Sequence, residues 1–129
     1  MAQLAVPRFL VVLGSINAFL AIALGAFGAH GLKEIISAEM LVVYQTGVQY
    51  HIIHSLGLIL VGLAARCFEP DRLCIWAGCL FMAGILVFSG SLYVLSLTGI
   101  RQWGMVTPLG GVSFLAGWIT LAVAAVRGK

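Results

Sequence analysis

The sequence predicts an all-α integral membrane protein, a bundle of four transmembrane helices with both termini in the cytoplasm. The first observation is composition: 62% of the 129 residues are hydrophobic and only 9% are charged, with a mean hydropathy of +1.13. A soluble domain is roughly 45–50% apolar and about 25% charged. The second observation is that an apolar run of about 20 residues, enough to cross a bilayer, occurs four times. We expect one domain over residues 1–129.

The first predicted span covers about residues 7–31, with Pro7 in the first turn, where the N–H that proline lacks is not needed. Its apolar run is longer than the roughly 7–15 residues of a signal-peptide core, so we expect it to be retained. Small residues recur at spacings of four and three, which places them on one seam: Gly14, Ala18, Ala21, Gly25 and Gly28. Because small residues allow helices to approach closely in lipid, the seam predicts packing against another span, and Asn17 is suited to a hydrogen bond across the bundle.

The second predicted span covers about residues 40–65, with Ser37 as its expected N-cap. Its first half carries the stretch YQTGVQYHIIHS, residues 44–55, which is polar, aromatic and rich in histidine. Polar groups within a membrane are usually turned toward the protein interior. We therefore expect this stretch to face the other helices.

The third and fourth predicted spans cover about residues 73–97 and 107–126. The charged break CFEPDR, residues 67–72, precedes the third span, and a connection with Arg101 and Trp103 precedes the fourth. Thr107 and Pro108 are the expected N-cap and first residue of the fourth helix.

The orientation follows from the basic residues. With both termini inside, the cytoplasmic side holds Arg8, Arg66, Arg72, Arg127 and Lys129, and the opposite side holds only Lys33 and Arg101. The positive-inside rule favours this arrangement.

This topology places the polar ends of all four spans in the outer half of the bilayer. The predicted polar cluster consists of Gln45, Gln49, Tyr50, His51, His54, Ser89, Ser91, Tyr93 and Thr107, with Ser113 nearby. His54 lies roughly 20 Å along the second helix, too deep to reach the membrane surface. We expect it to face the bundle beside Tyr50 and to bond to a hydroxyl group, with Ser89 or Ser91 at the nearest depth.

Four motifs resemble a known family when taken in order: LGAFGAHGL, QTGVQYHIIH, FSGSLYVLSL and TPLGGVSFLAGW. Together they are similar to the YgdD-like family of small bacterial inner-membrane proteins of unknown function, over essentially the whole chain. The resemblance implies a multi-pass protein of the bacterial inner membrane. It carries over no catalytic or ligand residues.

Histidines at 51 and 54, with His30 on the same side, raise the alternative of a metal or haem site, since imidazole is a common ligand. No carboxylate stands at a fixed offset, and the three cysteines, Cys67, Cys74 and Cys79, lie toward the other side without a CxxC spacing. We expect neutral histidines bonded across the bundle, with no metal and no cofactor.

An enzyme is not expected, because the serines lack the GxSxG elbow and no acidic residue is available within the spans to orient a base. A nucleic-acid partner is not expected either, because the seven Lys and Arg stand singly at span ends.

Three functional hypotheses remain. The first is a non-enzymatic accessory or interaction subunit, in contact with membrane lipids and with a membrane-protein partner or a second copy of itself. The second is a small-molecule or lipid-binding or transport bundle that uses the outer-half polar cluster. The third is a haem-, quinone- or metal-linked redox component.

Overall fold

The structure is a computed structural model that describes residues 5–68 and 72–128. Its described part contains four helical segments long and apolar enough to cross a membrane, here called spans 1 to 4: Val6–Leu32, Ala38–Ala64, Arg72–Thr98 and Arg101–Arg127. The predicted four-helix, all-α membrane fold is confirmed. Glu69, Pro70 and Asp71 of the charged break, and Lys129, lie outside the described residues. The orientation with both termini inside stays a prediction.

The helices within these spans are numbered along the chain. They are α1 (Ala5–Phe27), followed by a π-helical turn (Gly28–Leu32); α2 (Ala38–Ala64); α3 (Arg72–Gly84), a second π-helical turn (Ile85–Ser89) and α4 (Gly90–Thr98); and a 3₁₀ turn (Arg101–Met105) leading into α5 (Thr107–Arg127). Gly99 ends α4 in the left-handed region, with φ of 71°, which glycine adopts without a steric penalty.

The helix starts agree with the sequence at two positions and differ at one. Ser37 caps α2 as predicted, since its Oγ accepts a hydrogen bond from the Met40 N–H at 3.2 Å. Pro108 lies in the first turn of α5 as predicted. Thr107 is wrong as an N-cap: it is already the first residue of α5, and Val106 precedes it without a side-chain cap.

Span 2 lies at the centre of the bundle, and span 1 packs along it through the predicted seam. Half of the most apolar window of span 2 is buried, against 22% for span 1. A methyl group added at Gly14 would lie 2.7 Å from the Ser55 carbonyl oxygen, and one at Gly25 would lie 3.1 Å from Val48. Gly28 likewise faces the Tyr44 ring. Only glycine permits the closest of these contacts, so the seam is confirmed as a helix-packing surface.

Spans 3 and 4 form the second close pair. Gly110 lies against the backbone of Phe88, so close that any added side chain would overlap it. Gly117 faces the Phe81 ring in the same manner. The π-helical turn Ile85–Ser89 therefore lies where the two spans come nearest.

The buried residues form two apolar clusters. The larger includes Leu58, Val61, Phe81 and Phe114, and the smaller includes Leu32, Tyr44 and Val48. Along α2, positions 51, 54 and 55 fall between these clusters and are buried. These buried polar residues of α2, with the groups bonded to them, form a polar layer between two apolar cores.

Candidate functional site

Three spans are connected by one histidine. His51 Nε2 lies 3.1 Å from Asn17 Oδ1 on span 1, and His51 Nδ1 lies 3.0 Å from the Tyr93 hydroxyl on span 3. Asn17 Nδ2 in turn donates to the Leu13 carbonyl oxygen at 2.9 Å. His51 is only 5% exposed.

The partners of His51 determine its protonation. The Leu13 carbonyl oxygen can only accept, so the Asn17 amide must present Nδ2 to it and Oδ1 to His51. Since Oδ1 can only accept, the proton of His51 lies on Nε2, and Nδ1 accepts from the Tyr93 hydroxyl. A neutral ring, whose Nδ1 accepts from Tyr93, gives every member of this chain of bonds a partner.

His54 makes a separate connection to span 4. Its Nδ1 lies 2.8 Å from the carbonyl oxygen of Tyr50, and its Nε2 lies 3.0 Å from Nε1 of Trp118. A carbonyl oxygen only accepts and an indole N–H only donates, so the proton lies on Nδ1 and Nε2 is the acceptor. His54 is thus also neutral, with the opposite tautomer to His51.

Aromatic rings enclose His54. Its ring stacks on Phe114 with centroids 3.4 Å apart and planes at 9°, and meets the Phe81 ring at 64° and 5.3 Å. Tyr50 stacks parallel at 6.1 Å. The prediction that His54 faces the bundle beside Tyr50 is confirmed, because its side chain is only 3% exposed.

The predicted partner of His54 was wrong. Neither Ser89 nor Ser91 bonds to it; the Trp118 indole does. Ser91 Oγ instead pairs with Thr107 Oγ1 at 2.7 Å and with the Phe88 carbonyl oxygen at 2.9 Å. Ser89 Oγ is buried and, among the described residues, has no hydrogen-bond partner.

The two glutamines are also placed differently from the prediction. Gln45 and Gln49 are exposed on α2, one turn apart, and neither bonds to another described residue. The buried face of α2 is formed by positions 44, 48, 51 and 55, so the glutamines lie one residue beyond it. They point away from the polar layer.

The predicted polar cluster left out two residues that make hydrogen bonds in or beside the layer, Trp118 and Tyr44. Tyr44 donates to the Leu24 carbonyl oxygen at 2.7 Å, and its ring packs on Tyr93 at 5.2 Å. A signal for Trp118 exists in the sequence: tryptophan normally lies at the membrane surface, but this one is in mid-span. A tryptophan at such depth needs an acceptor for its N–H, and His54 is the nearest buried imidazole.

The chemistry open to this layer is limited by its pairing. Both nitrogens of each buried histidine are engaged, so neither ring offers a free lone pair to a metal. His30 is exposed and stands apart from them. Among the described residues, no group of three or more His, Cys, Asp or Glu is close enough to hold a metal ion. The hydrogen bonds of the two histidines hold span 2 against spans 1, 3 and 4.

Comparison with known proteins gives one family and several close relatives. Residues 24–111 match the family described as protein of unknown function (DUF423). The chain is 51% identical over 120 residues to the UPF0382 membrane protein YwdK of Bacillus subtilis, covering 93% of this chain and 98% of the relative. It is 42% identical over 125 residues to the UPF0382 inner membrane protein YgdD of Escherichia coli, covering 95% and 92%.

A Staphylococcus aureus relative, the UPF0382 membrane protein SAB0533, is 42% identical over 120 residues, or 93% of this chain and 97% of the relative. No solved structure matches the chain significantly.

Proposed function

This chain belongs to the DUF423 family, and from the geometry of its helices we propose that it is a non-enzymatic accessory or interaction subunit that works through lateral contacts between helices. The chain is a multi-pass protein of the bacterial inner membrane, as its four spans and its relatives' names indicate. The proposed partners are membrane lipids and either another membrane protein or a second copy of this chain.

The observation that carries the proposal is the position of Gln49. Span 2 has 27 residues and is therefore about 40 Å long, roughly 10 Å more than the hydrocarbon core. Gln49 comes 11 residues after Ala38, about 16 Å along the helix and roughly 11 Å inside the hydrocarbon. An exposed amide at that depth has neither water nor a described residue to bond to.

Polar side chains within membranes normally face protein, and amides there form hydrogen bonds between helices. Gln49 lies on an open face of span 2 that also holds Val42, Gln45, Ile53 and Leu56, all exposed at helical spacing. We call these five residues the glutamine face. A partner helix that lies along it supplies the missing bonds.

The pairing inside the bundle supports a non-enzymatic role. Both buried histidines and Tyr93 are held by hydrogen bonds to neighbouring helices, which uses the groups that an enzyme would need as base or nucleophile. An optical spectrum of the purified protein tests the redox alternative separately, since bound haem absorbs visible light.

The test is photo-crosslinking in native membranes. A photoreactive residue at Ile53 is expected to give a discrete protein adduct, and the same residue at Leu86, an exposed position on span 3, is the control. Two differently tagged copies distinguish self-association from another protein, which mass spectrometry identifies.

A Gln45→Leu/Gln49→Leu variant is expected to lose the adduct or to weaken it by roughly 3- to 20-fold for each glutamine that bonds to the partner, because one hydrogen bond between membrane helices contributes about 0.6–1.7 kcal/mol. Gln102→Leu is the matched control, since Gln102 is exposed in the connection before α5. Adducts with lipid alone at Ile53, or an adduct unchanged in the double variant, would contradict the proposal.

A further inference from the structure

An apolar cleft opens between spans 2 and 4, in the opposite half of the bundle from the glutamine face. Its volume is about 520 Å³, and its walls are apolar side chains, with Cys67 at one end. Span 2 and the turn after it contribute Leu60, Ala64 and Phe68, and span 4 contributes Trp118, Leu121 and Ala122. At the other end the spans close together, since a methyl group at Gly57 would lie 3.6 Å from Trp118. Between this point and Phe68, which lies against Gly128 at the end of span 4, the two spans stand apart and leave the cleft.

We propose that this cleft binds one acyl chain of an anionic phospholipid, with the headgroup held by Arg66 and Arg127. The proposal is independent of any partner at the glutamine face.

The shape of the cleft favours an acyl chain over a helix. From Leu60 to Cys67 the cleft extends roughly 10 Å along α2 and the turn that follows it. One turn of helix with side chains is 10–12 Å wide and 5.4 Å long, so it occupies roughly 400–600 Å³. A helix of this length has about twice the volume of the cleft, so only some of its side chains could enter. A single hydrocarbon chain is narrow enough and matches the apolar walls.

The charges at the Cys67 end of the cleft favour an anionic headgroup. Gly128 contacts Phe68, so the ends of spans 2 and 4 meet there, with Arg66 and Arg127 beside them. Both arginines are exposed, and the acidic residues of this end, Glu69 and Asp71, lie outside the described residues. Basic residues between spans on the cytoplasmic side are a recurrent binding site for anionic lipid headgroups. The predicted orientation places this end of the bundle on that side.

The test uses Trp118 as a reporter. A Trp76→Phe/Trp103→Phe variant keeps Trp118 as its one tryptophan, and it is reconstituted into bilayers of phosphatidylglycerol and phosphatidylcholine with identical chains. In separate samples, one or the other lipid carries bromine on its acyl chain, and bromine quenches the fluorescence of a nearby tryptophan. Stronger quenching by brominated phosphatidylglycerol at equal mole fraction is expected, with a preference of about fivefold from each arginine.

Two sets of variants separate the chain from the headgroup. Ala122→Phe, or Ala125→Phe as a second cleft-filling change, is expected to remove the excess quenching, whereas Ala83→Phe on an exposed part of span 3 leaves it. Arg66→Gln/Arg127→Gln is expected to remove the preference for phosphatidylglycerol, whereas Arg101→Gln at the other end does not. Circular dichroism melting confirms that each variant folds.

Equal quenching by the two lipids overturns the proposal, as does unchanged quenching in the folded cleft-filling variants. Efficient disulfide crosslinking of two chains through Cys67, an exposed cysteine in the cleft wall, would also overturn it, because a second copy would then occupy the cleft.

Discussion

The hydrogen bond between His51 and Tyr93 provides a direct test of whether the polar layer stabilises the bundle. It joins spans 2 and 3 at 3.0 Å, and His51 is held from the other side by Asn17. Tyr93→Phe removes the hydroxyl and leaves Nδ1 of His51 without a donor. His51→Ala removes the same bond from the other partner. A double-mutant cycle of these two changes isolates the coupling between them.

The expected coupling free energy is about 0.6–1.7 kcal/mol. In a dry apolar interior an unpaired polar group costs roughly 1–3 kcal/mol, but hydrogen bonds between membrane helices average about 0.6 kcal/mol and reach about 1.7. The smaller range applies because the unfolded chain in a membrane also finds partners. Burial of His51 and the matching tautomer favour the upper half of the range.

The measurement is unfolding of the purified protein in mild detergent by added dodecyl sulfate, followed by circular dichroism. The control pair is Tyr93→Phe with Ser113→Ala, since Ser113 donates to the Leu80 carbonyl oxygen outside this network. At independent sites, the changes in the free energy of unfolding caused by the two substitutions are expected to add within about 0.3–0.5 kcal/mol. A His51–Tyr93 coupling no larger than that of the control pair would refute the idea that the layer holds the spans together.

Three further predictions follow from the packing, the tautomers and the topology. Gly14→Ala is expected to lower the free energy of unfolding by about 1–3 kcal/mol, because the added methyl group would overlap the backbone of span 2. Gly90→Ala is the control: nothing lies within 4 Å of the added methyl group, so the free energy of unfolding should stay unchanged or rise in the same assay. Nitrogen-15 NMR should report the proton of His51 on Nε2 and that of His54 on Nδ1, and one shared tautomer would contradict the assigned bonds. A variant with Cys67 as its only cysteine should resist an impermeant maleimide in spheroplasts until they are permeabilised; earlier labelling would invert the orientation.

The spans and the span 1 seam were predictable because each depends on a property that is local in sequence. Hydropathy over about 20 residues determines which segments can cross the bilayer. Glycines at spacings of three and four mark a close approach whichever helix lies opposite. The seam, with Gly14 against Ser55 and Gly28 against Tyr44, needed no knowledge of the partner helix.

The serine partners predicted for His54 were wrong, because the partner of a side chain depends on how one helix is rotated relative to another. The turn Ile85–Ser89 contains a bond from the Gly90 N–H to the Ile85 carbonyl oxygen, one residue wider than in an α-helix. This extra residue rotates all of α4 by roughly 100° relative to α3. Ser91 is thereby turned toward Thr107 rather than His54.

The exposed glutamines could have been read correctly from the sequence. Tyr44, Val48, His51, Ser55 and Leu58 are spaced four, three, four and three, and this row is the buried face of α2. The row excludes positions 45 and 49. The predicted cluster grouped residues by their depth in the membrane alone. The helical period also shows that positions 45 and 49 point away from the buried face.

The same π-helical turn contains the one buried side-chain oxygen without a hydrogen-bond partner among the described residues, Ser89 Oγ. Ser55, equally buried, donates to the His51 carbonyl oxygen at 2.6 Å. Both serines are 0% exposed, so the two differ in bonding and not in burial. A hydroxyl buried without a partner costs roughly 1–3 kcal/mol relative to one that is bonded.

Ser89→Ala is therefore expected to leave the free energy of unfolding unchanged or to raise it by about 1 kcal/mol, whereas Ser55→Ala lowers it by a similar amount. Both substitutions remove one oxygen from a fully buried site on a helix, so the change in volume is matched. Detergent unfolding of the two variants side by side gives the comparison. If Ser89→Ala proves as destabilising as Ser55→Ala, the Ser89 hydroxyl is not an unpaired group in the folded protein, and the assignment is wrong.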